Sequence, residues 1–317
     1  MQIDLANSHG AIGFENAVNR LNVAPATRIL LAVSGGPDSL AMLLLANTVM
    51  PDRIAAATVD HRLRPEAADE AAFVARLCAD WNIVHRVLTP EHPITGNLQS
   101  AARTARYALL EQAADELDCD LIATAHHGDD QLETLLMRLA RGSGVDGLAG
   151  IRVRNGRIIR PMLGFSKAEL EQICTDAGVK PVRDPGNEDA NFDRIAMRHY
   201  LSAQPNPFDA RRAVRTGSSI ADAVAALCWM TERLSGTRIG SENGTITADM
   251  SGLPRELQRR LLLVCLRKID SSIKPRGDAI ERLLDDLTDG KTTTIGDILC
   301  KGGSIWRFSS APPRRTG

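Results

Sequence analysis

Aromatic side chains are scarce in this sequence of 317 residues, in which phenylalanine, tyrosine and tryptophan together make up 3%. A chain with so few rings does not read single-stranded nucleic acid mainly by stacking on the bases. Long hydrophobic runs are also missing: none approaches the length of about 20 apolar residues that a bilayer requires. The N-terminus carries Asp4 and Glu15 and lacks the pattern of a signal peptide. The sequence therefore predicts a cytoplasmic protein with no membrane partner.

Cysteine pairs are absent as well, because no two of the six cysteines are close enough in sequence to form a CxxC motif. This spacing excludes a zinc ribbon, a redox dithiol and an obvious iron–sulfur cluster. It favours buried free thiols in a reducing compartment. The cysteines are Cys78, Cys119, Cys174, Cys228, Cys265 and Cys300.

Charge is nearly balanced overall, with a net value of −1, but it is unevenly distributed. Residues 1–135 hold 9 arginines, no lysine and 18 acidic residues, whereas residues 136–317 hold 29 basic and 21 acidic ones. An acidic half followed by a basic half is compatible with a polyanion bound on one side, and equally with an unevenly charged solvated surface.

Short apolar runs alternate with helical patterns through the first half of the chain. Strands are predicted at 28–33, 54–59, 83–88 and 121–125, with helices between them. This alternation predicts an α/β fold with a doubly wound parallel sheet over residues 1–204. Amphipathic patterns at 219–234, 257–269 and 279–287 predict a second, smaller and mainly helical domain over 205–317, with a disordered tail from Ala311.

A small polar loop, SGGPDS at 34–39, stands where the first predicted strand ends and a helix begins. Its backbone N–H groups and the positive end of the helix dipole predict a phosphate site. Asp38 is out of place in an anion site unless a cation offsets it, which predicts a magnesium ion between Asp38 and the phosphates. A Walker A loop is excluded because the first lysine of the chain is Lys167. The GxGxxG at 142–147 follows a helix, so it predicts a helix-ending loop rather than a dinucleotide site.

The SGGPDS stretch resembles the SGGxDS loop of the PP-loop ATP pyrophosphatases, which cleave ATP between the α- and β-phosphates and adenylate an oxygen. Four further stretches have the order and spacing of the tRNA(Ile)-lysidine synthetase family: TVDHRLRPEA at 58–67, ARTARY at 102–107, ATAHHGDDQLETLLMRLARGSGVDGLAG at 123–150 and RPML at 160–163. The resemblance implies that lysine is attached to C2 of the wobble cytidine in the CAU anticodon of tRNA(Ile), through an adenylated cytidine, with ATP converted to AMP and pyrophosphate. The implied partners are this tRNA and free L-lysine, and a homodimer is compatible with the resemblance.

The same resemblance implies which residues form the site. His126, Asp130 and Glu133 are expected to bind lysine, and Arg106 to act on the activated intermediate. Asp130 and Glu133 stand at i and i+3, so a helix places them on one face, where a carboxylate pair can hold an ammonium group and accept its proton. The expected ATP-binding residues are Ser34, Gly35, Gly36, Pro37, Asp38, Ser39, Asp60 and His61, and Asp38 is also expected to hold magnesium.

Contacts with tRNA are expected from arginines of the second half, because residues 138–160 hold six arginines against Asp146 alone. The stretch RDPGNEDANFDRIAMRHYL at 183–201 departs from the family's DxSN and RNxxRH patterns at Gly186 and Ile195. That stretch equally fits a link to the second domain. The residues expected to bind tRNA are Arg138, Arg141, Arg194 and Arg198.

Three other hypotheses remain open at this level. His126 and His127 with Asp129 and Asp130 also fit a hydrolytic metal cluster, although Asp129 fits a helix cap better. Another PP-loop tRNA-modifying enzyme, such as a thiolase-type 2-thiocytidine synthetase, would need a cysteine pair or cluster. A tRNA-binding protein with a vestigial ATP site would not need to retain both the SGGPDS loop and the carboxylates at 130 and 133.

Overall fold

A computed structural model describes residues 8–61, 66–90, 98–182, 192–202 and 207–312. The chain divides into two compact units, Met1–Ala221 and Asp222–Gly317. The sequence suggests a boundary at 204/205, whereas this division falls further along the chain. It lies within one long helix, Ala210–Arg238. Over the described part of the chain, no helix is long and apolar enough to cross a membrane.

The first unit alternates strands and helices, as the sequence predicted. Its six-stranded sheet has the order β3-β2-β1-β4-β6-β5, and all neighbouring strands are parallel except β5 and β6. Two short 3-10 turns, Pro51–Arg53 and Pro161–Gly164, add to these elements. The elements are α1 (His9–Arg20), β1 (Ile29–Ala32), α2 (Pro37–Val49), β2 (Ile54–Val59), α3 (Glu66–Asp80), β3 (Val84–Leu88), α4 (Leu98–Glu116), β4 (Leu121–Ala123), α5 (Gly128–Ala140), α6 (Val145–Leu148), β5 (Arg154–Asn155), β6 (Ile158–Ile159), α7 (Lys167–Asp176) and α8 (Phe192–Ser202).

The centre of this sheet is buried on both faces. All four residues of β1 are buried, and β2 contributes three consecutive buried alanines at 55–57. α2 packs over one face of the sheet, and every residue from Ser39 to Ala46 is buried. A helix that is apolar on all sides, as this one is, is typically buried on all sides. The strand order changes direction between β1 and β4, and open α/β sheets bind ligands at such a point, beyond the carboxyl ends of the strands.

The second unit contains the three predicted helices and also a five-stranded antiparallel sheet that the sequence analysis missed. The sheet has the order β7-β8-β11-β10-β9. Alternate residues of β8 and β11, among them Ile246, Trp306 and Phe308, are buried in a core with leucines of α10 and α11. The elements of this part are α9 (Ala210–Arg238), β7 (Ile239–Glu242), β8 (Thr245–Asp249), α10 (Arg255–Ile269), α11 (Gly277–Thr288), β9 (Thr292–Ile295), β10 (Ile298–Lys301) and β11 (Ile305–Ser310).

The cysteines are all free thiols, and five of the six are buried. Cys228 is the exception to the prediction of buried thiols, because it is exposed on α9. Burial raises the pKa of Cys78, Cys265 and Cys300 to about 12, so these three are packed as small apolar side chains.

Candidate active site

The polar segments that follow β1, β2 and β4 lie at the carboxyl ends of three neighbouring strands. β1 pairs in parallel with both β2 and β4. Residues 34–39 follow β1, residues 60–61 follow β2, and residues 124–130 lead from β4 into α5. Parallel pairing brings the three segments to one edge of the sheet.

The loop after β1 is held in shape by its own serines. The Ser34 main-chain N–H donates to Ser39 Oγ over 3.0 Å, and Ser39 Oγ in turn lies 3.0 Å from the Gly36 carbonyl oxygen, to which it donates. Gly35 has a φ of +82°, a conformation that side chains disfavour. Gly36 caps α2, and Pro37 occupies its first turn. The loop therefore leads directly into a helix N-terminus, the arrangement that binds phosphate.

A cavity of about 300 Å³ opens beside this loop. Ser34 and Gly36 line it from the loop, His61 from the end of β2, and Arg106 from α4. Glu70 of α3, which the sequence analysis did not single out, lines it too. The cavity therefore joins the predicted phosphate loop to two residues expected to act on the nucleotide.

Burial changes the acid–base properties of this cavity. Burial, with the Arg106 charge as a smaller cause, lowers the pKa of His61, which is therefore neutral at physiological pH. Burial also lowers the pKa of Arg106, and the neighbouring Arg103 acts in the same direction. His61 Nδ1 is buried and has no hydrogen-bond partner among the residues that the structure describes. A desolvated guanidinium and an unused ring nitrogen fit a polar anionic ligand.

His127 lies at the centre of an acidic cluster that connects the loop after β1 to α5. Its Nε2 is 3.6 Å from Asp38 Oδ2 and 3.6 Å from Asp130 Oδ2, and its Nδ1 is 3.5 Å from Asp129 Oδ2. Burial by itself lowers the pKa of His127, but contacts with Asp129 and Asp38 outweigh burial and raise the pKa to about 10. An imidazolium therefore offsets part of the charge of three carboxylates.

Asp38 has the properties expected of a magnesium ligand. Its Oδ1 is buried and makes no hydrogen bond in the described structure, and the cluster around it stays net negative. Among the described residues, no group of three or more histidine, cysteine or acidic side chains is arranged to hold a metal ion. Magnesium commonly binds proteins through one or two carboxylates together with substrate phosphates, so Asp38 alone fits this mode.

Asp129 and Asp130 have different structural roles. Asp129 Oδ2 accepts from the Lys167 main-chain N–H over 2.8 Å, so this residue satisfies an N–H group in the first turn of α7, whose N-cap is Ser166. Asp130 Oδ2 accepts from the His127 main-chain N–H over 3.2 Å at the start of α5. The interpretation of Asp129 as the cap of the helix that begins there was therefore wrong, because His127 is the N-cap of α5.

Glu133 and Arg198 form an ion pair that the sequence analysis did not anticipate. Arg198 Nε donates to Glu133 Oε1 over 2.7 Å, and the Glu133 side chain is only 6% exposed. This hydrogen bond raises the pKa of Arg198 and outweighs the partial burial of the guanidinium, which lowers the pKa. Arg198, expected to bind tRNA, thus lies against a residue expected to bind lysine.

His126 is held by a residue that the sequence did not single out. Thr124 Oγ1, at the end of β4, lies 3.0 Å from His126 Nδ1, within hydrogen-bond distance. Burial lowers the pKa of His126 to about 4, in spite of the nearby Asp130 charge. His126 is therefore a neutral imidazole whose orientation is fixed from one side.

Comparison with known proteins agrees with this arrangement. A family model described as a PP-loop domain matches residues 9–204. The tRNA(Ile)-lysidine synthase of Zymomonas mobilis is 39% identical over 314 residues, which cover 95% of this chain and 94% of the relative. This chain belongs to the tRNA(Ile)-lysidine synthase family.

One further relative supports membership of the tRNA(Ile)-lysidine synthase family, and one solved structure shares the fold. The synthase of Novosphingobium aromaticivorans is 40% identical, with 92% of this chain and 91% of the relative covered. Among solved structures, the U34-tRNA thiolase NcsA from Methanococcus maripaludis, with its 4Fe–4S cluster, matches with a TM-score of 0.59 and 18% identity. That match covers 68% of this chain and 80% of the other. At this identity it shows a shared fold only.

The arginines expected to bind tRNA in this family member are not equally placed. Arg138 and Arg141 are exposed at the end of α5, as tRNA contacts require. Arg160 is buried, and its Nη1 donates to the Arg152 carbonyl oxygen. Arg157 Nη1 donates to Asp115 Oδ1 over 2.6 Å. These two arginines therefore stabilise the fold. The side chain of Arg194, like Gly186 and the side chain of Ile195, lies outside the described residues.

Besides Glu70, sequence reasoning missed His127 and Thr124 as contributors to the site. The doublet His126–His127 was visible, but only the first histidine was assigned to the lysine site. The available signal for His127 was its position between a strand end and a helix start, where the N-cap side chain lies close to the acids of the first turn. Thr124 gave no comparable signal because threonine is common in strands.

Proposed function

We propose that this chain is an ATP-dependent ligase that joins free L-lysine to C2 of the wobble cytidine in the CAU anticodon of tRNA(Ile), in the cytoplasm. One observation carries the proposal beyond family membership. His127 lies 3.6 Å from Asp38 in the loop expected to bind ATP and 3.6 Å from Asp130 in the segment expected to bind lysine. ATP and lysine would therefore bind on either side of one buried side chain, as two successive reactions on the same cytidine require.

In the first reaction, the cytidine O2 attacks the α-phosphate of ATP, an O2–phosphorus bond forms, and pyrophosphate leaves. The main-chain N–H groups at the start of α2, together with the positive end of its helix dipole, stabilise the charge that builds on the leaving group. Arg106 and His61 hold the nucleotide in the cavity beside the loop. Asp38 would hold Mg²⁺, which when bound withdraws negative charge from the phosphates.

In the second reaction, the ε-amine of lysine attacks C2, and the C2–O2 bond breaks so that AMP leaves with that oxygen. The ammonium form of lysine has a pKa of about 10.4, so a proton must be removed before or during attack. Asp130 and Glu133 attract the ammonium group, and Asp130 accepts the proton. The neutral imidazole of His126 orients the amine, because it can accept or donate one hydrogen bond without adding charge.

A thiolase-type activity has less support from the cysteines of the first unit. Cys78, Cys119 and Cys174 are its cysteines, and each is buried. Cys174 is next to the ATP loop, where its thiol donates to the Pro37 carbonyl oxygen over 3.4 Å. Burial raises the pKa of Cys174 to about 11, which leaves its sulfur unreactive as a nucleophile.

The proposal is tested by omitting one substrate at a time. With ATP, magnesium, lysine and tRNA carrying a CAU anticodon, we expect one pyrophosphate and one labelled lysine in tRNA per turnover. A tRNA with uridine at the wobble position should give neither product, which makes it the matched control. Lysine-independent sulfur incorporation would favour a thiolase, and tRNA binding without any pyrophosphate release would favour a vestigial ATP site.

Binding of tRNA should depend on Arg138 and Arg141. We expect the double variant Arg138→Gln/Arg141→Gln to weaken tRNA binding. The slope of log affinity against log salt concentration should become shallower by about 0.7–0.9 for each phosphate that the variant no longer neutralises. Arg20→Gln removes an exposed cation at the end of α1 and serves as the control. Affinity measured from low to moderate salt gives the slope. An unchanged slope in the double variant would place the tRNA surface elsewhere.

A further inference from the structure

Helix α4 carries a stacked arginine and tyrosine beside the cavity expected to hold ATP. The Arg103 guanidinium carbon lies 5.0 Å from the centre of the Tyr107 ring, and Arg103 Nη2 donates to the Tyr107 hydroxyl over 3.4 Å. Arg103, Arg106 and Leu110 are spaced by three and four residues, so they follow one side of the helix. Arg106 and Leu110 both line the cavity. The stacked pair therefore adjoins the cavity, one turn of helix before Arg106.

The same pair is close to the segment expected to bind lysine. Burial is the main cause that lowers the pKa of His126, and the positive charges of Arg103 and Arg106 act in the same direction. Because the effect of a charge on a pKa falls off with distance, both guanidiniums lie near this histidine. Arg103 is therefore near both expected substrate sites, the ATP cavity through Arg106 and the lysine segment through His126.

The proposed reaction requires the wobble cytidine to reach both substrates. Its O2 attacks the α-phosphate of ATP, and its C2 is then attacked by the lysine amine. The base must therefore lie between the ATP cavity and His126, and it reaches that position only by leaving the stack of the anticodon loop. Proteins hold unstacked bases on aromatic rings or on the planes of arginine guanidinium groups. A planar group at this position would replace the stacking that the base loses.

Arg103 supplies such a plane in a form that is already ordered. Its side chain is exposed, whereas Tyr107 is half-buried in the helix face behind it. Attraction between the guanidinium and the ring, together with the hydrogen bond to the hydroxyl, restricts the rotation of a long side chain. The side of the guanidinium away from the ring remains accessible. A base that stacks there therefore orders little additional protein.

We propose that Arg103, held over Tyr107, is the platform on which the unstacked wobble cytidine lies during both reactions. We call the two residues the α4 platform. The proposal rests on the proposed function, because it takes cytidine as the substrate base, and it adds the residues that hold this base. The platform needs a guanidinium plane and not only a positive charge, since an ammonium group has no plane for stacking. One such platform suits a chain with few aromatic rings.

Arg103→Lys separates stacking from charge. Loss of stacking for one base corresponds to about 5-fold to 150-fold in the population of the bound base. We expect adenylation at saturating ATP and tRNA to slow by this factor, because fewer cytidines are in position. The affinities for ATP and for tRNA should stay near those of the unaltered chain, since the charge is kept. Single-turnover pyrophosphate release measures the rate, and Arg76→Lys, at an exposed arginine of α3, is the matched control.

A tRNA with a fluorescent cytidine analogue at the wobble position tests the stack without any reaction. Its emission changes when the analogue leaves the anticodon loop and stacks on the protein. We expect this change with the unaltered chain and with Tyr107→Phe, which keeps the ring. We expect it to be lost with Arg103→Lys and reduced with Tyr107→Leu, which removes the ring. Thermal unfolding checks each variant, and Arg103→Lys decides the outcome if Tyr107→Leu does not fold, because Arg103 is exposed.

Two results would overturn the platform. Normal adenylation and a normal emission change with Arg103→Lys would show that a positive charge is sufficient. If, in addition, Arg103→Gln weakens tRNA binding and makes its salt dependence shallower, Arg103 contacts a phosphate instead. Failure of the proposed function looks different, because the unaltered chain would then attach no lysine to tRNA. An emission change that still depends on Arg103 in such a chain would support base binding by the platform and contradict the ligase.

Discussion

Asp38→Asn is expected to abolish pyrophosphate release and leave the folded structure intact. Asp38 Oδ1 is buried and unbonded in the described structure, and its Oδ2 lies 3.6 Å from His127 Nε2. Asparagine keeps the size of the side chain but removes the negative charge that a magnesium ion requires. Loss of one group that stabilises charge in the transition state typically costs 10²–10³-fold in rate, and we expect at least this loss.

The experiment compares Asp38→Asn with Asp52→Asn, which removes an exposed aspartate in the turn Pro51–Arg53. Pyrophosphate release is measured over a range of magnesium concentrations, together with thermal unfolding. The control should match the unaltered chain. An Asp38→Asn variant that unfolds at the same temperature and still releases pyrophosphate at a normal rate would show that Asp38 does not hold the metal.

The second large effect separates the two reactions. Asp130→Asn and Glu133→Gln are each expected to form adenylated tRNA and then fail to convert it into lysidine. Both carboxylates act on lysine in the proposed mechanism, whereas adenylation uses residues 34–39. Removal of one partner of a buried ion pair costs about 3–5 kcal/mol, equivalent to 10²-fold or more in affinity. The amide variants keep the shape of the α5 N-terminus, where Asp130 accepts from the His127 main-chain N–H.

Single-turnover mixtures with α-labelled ATP reveal the intermediate directly, because the label stays on tRNA until lysine attacks. We expect the labelled tRNA to accumulate in both variants and to decay quickly in the unaltered chain. Glu15→Gln removes an exposed carboxylate from α1 and should behave normally. If both site variants lose adenylation itself, the carboxylates belong to the ATP or magnesium site. Because Arg198 donates to Glu133, Arg198→Lys should show part of the Glu133→Gln defect.

Some of the sequence predictions failed where a signal was nevertheless available. Asn243 and Gly244 join β7 to β8 with positive φ angles of 46° and 75°, and an Asn-Gly pair between short runs is the strongest local signal for a hairpin. The flanking strands have only four and five residues, so their alternation is easily overlooked beside three amphipathic helices. The antiparallel sheet of the second unit could therefore have been predicted in part.

Other features followed directly from local chemistry. The strand that ends before SGGPDS and the helix that begins within it both depend on a few adjacent residues. The position of the GxGxxG at 142–147 after a predicted helix also predicted that it ends that helix. In the structure, Gly142 follows the C-cap Arg141 of α5 and adopts a φ of +64°.

The sequence by itself thus determined the parallel sheet, the phosphate loop and the family, because each of these depends on neighbours along the chain or on motifs of fixed spacing. The tertiary structure alone decided which charges meet. Arg198 lies 65 positions from Glu133, and His127 lies 89 positions from Asp38, so no local pattern contains either pair. Arg160 looks like any other arginine of a basic segment until the fold buries it. Burial and long-range pairing set the charge of these groups, and both arise only when distant segments pack together.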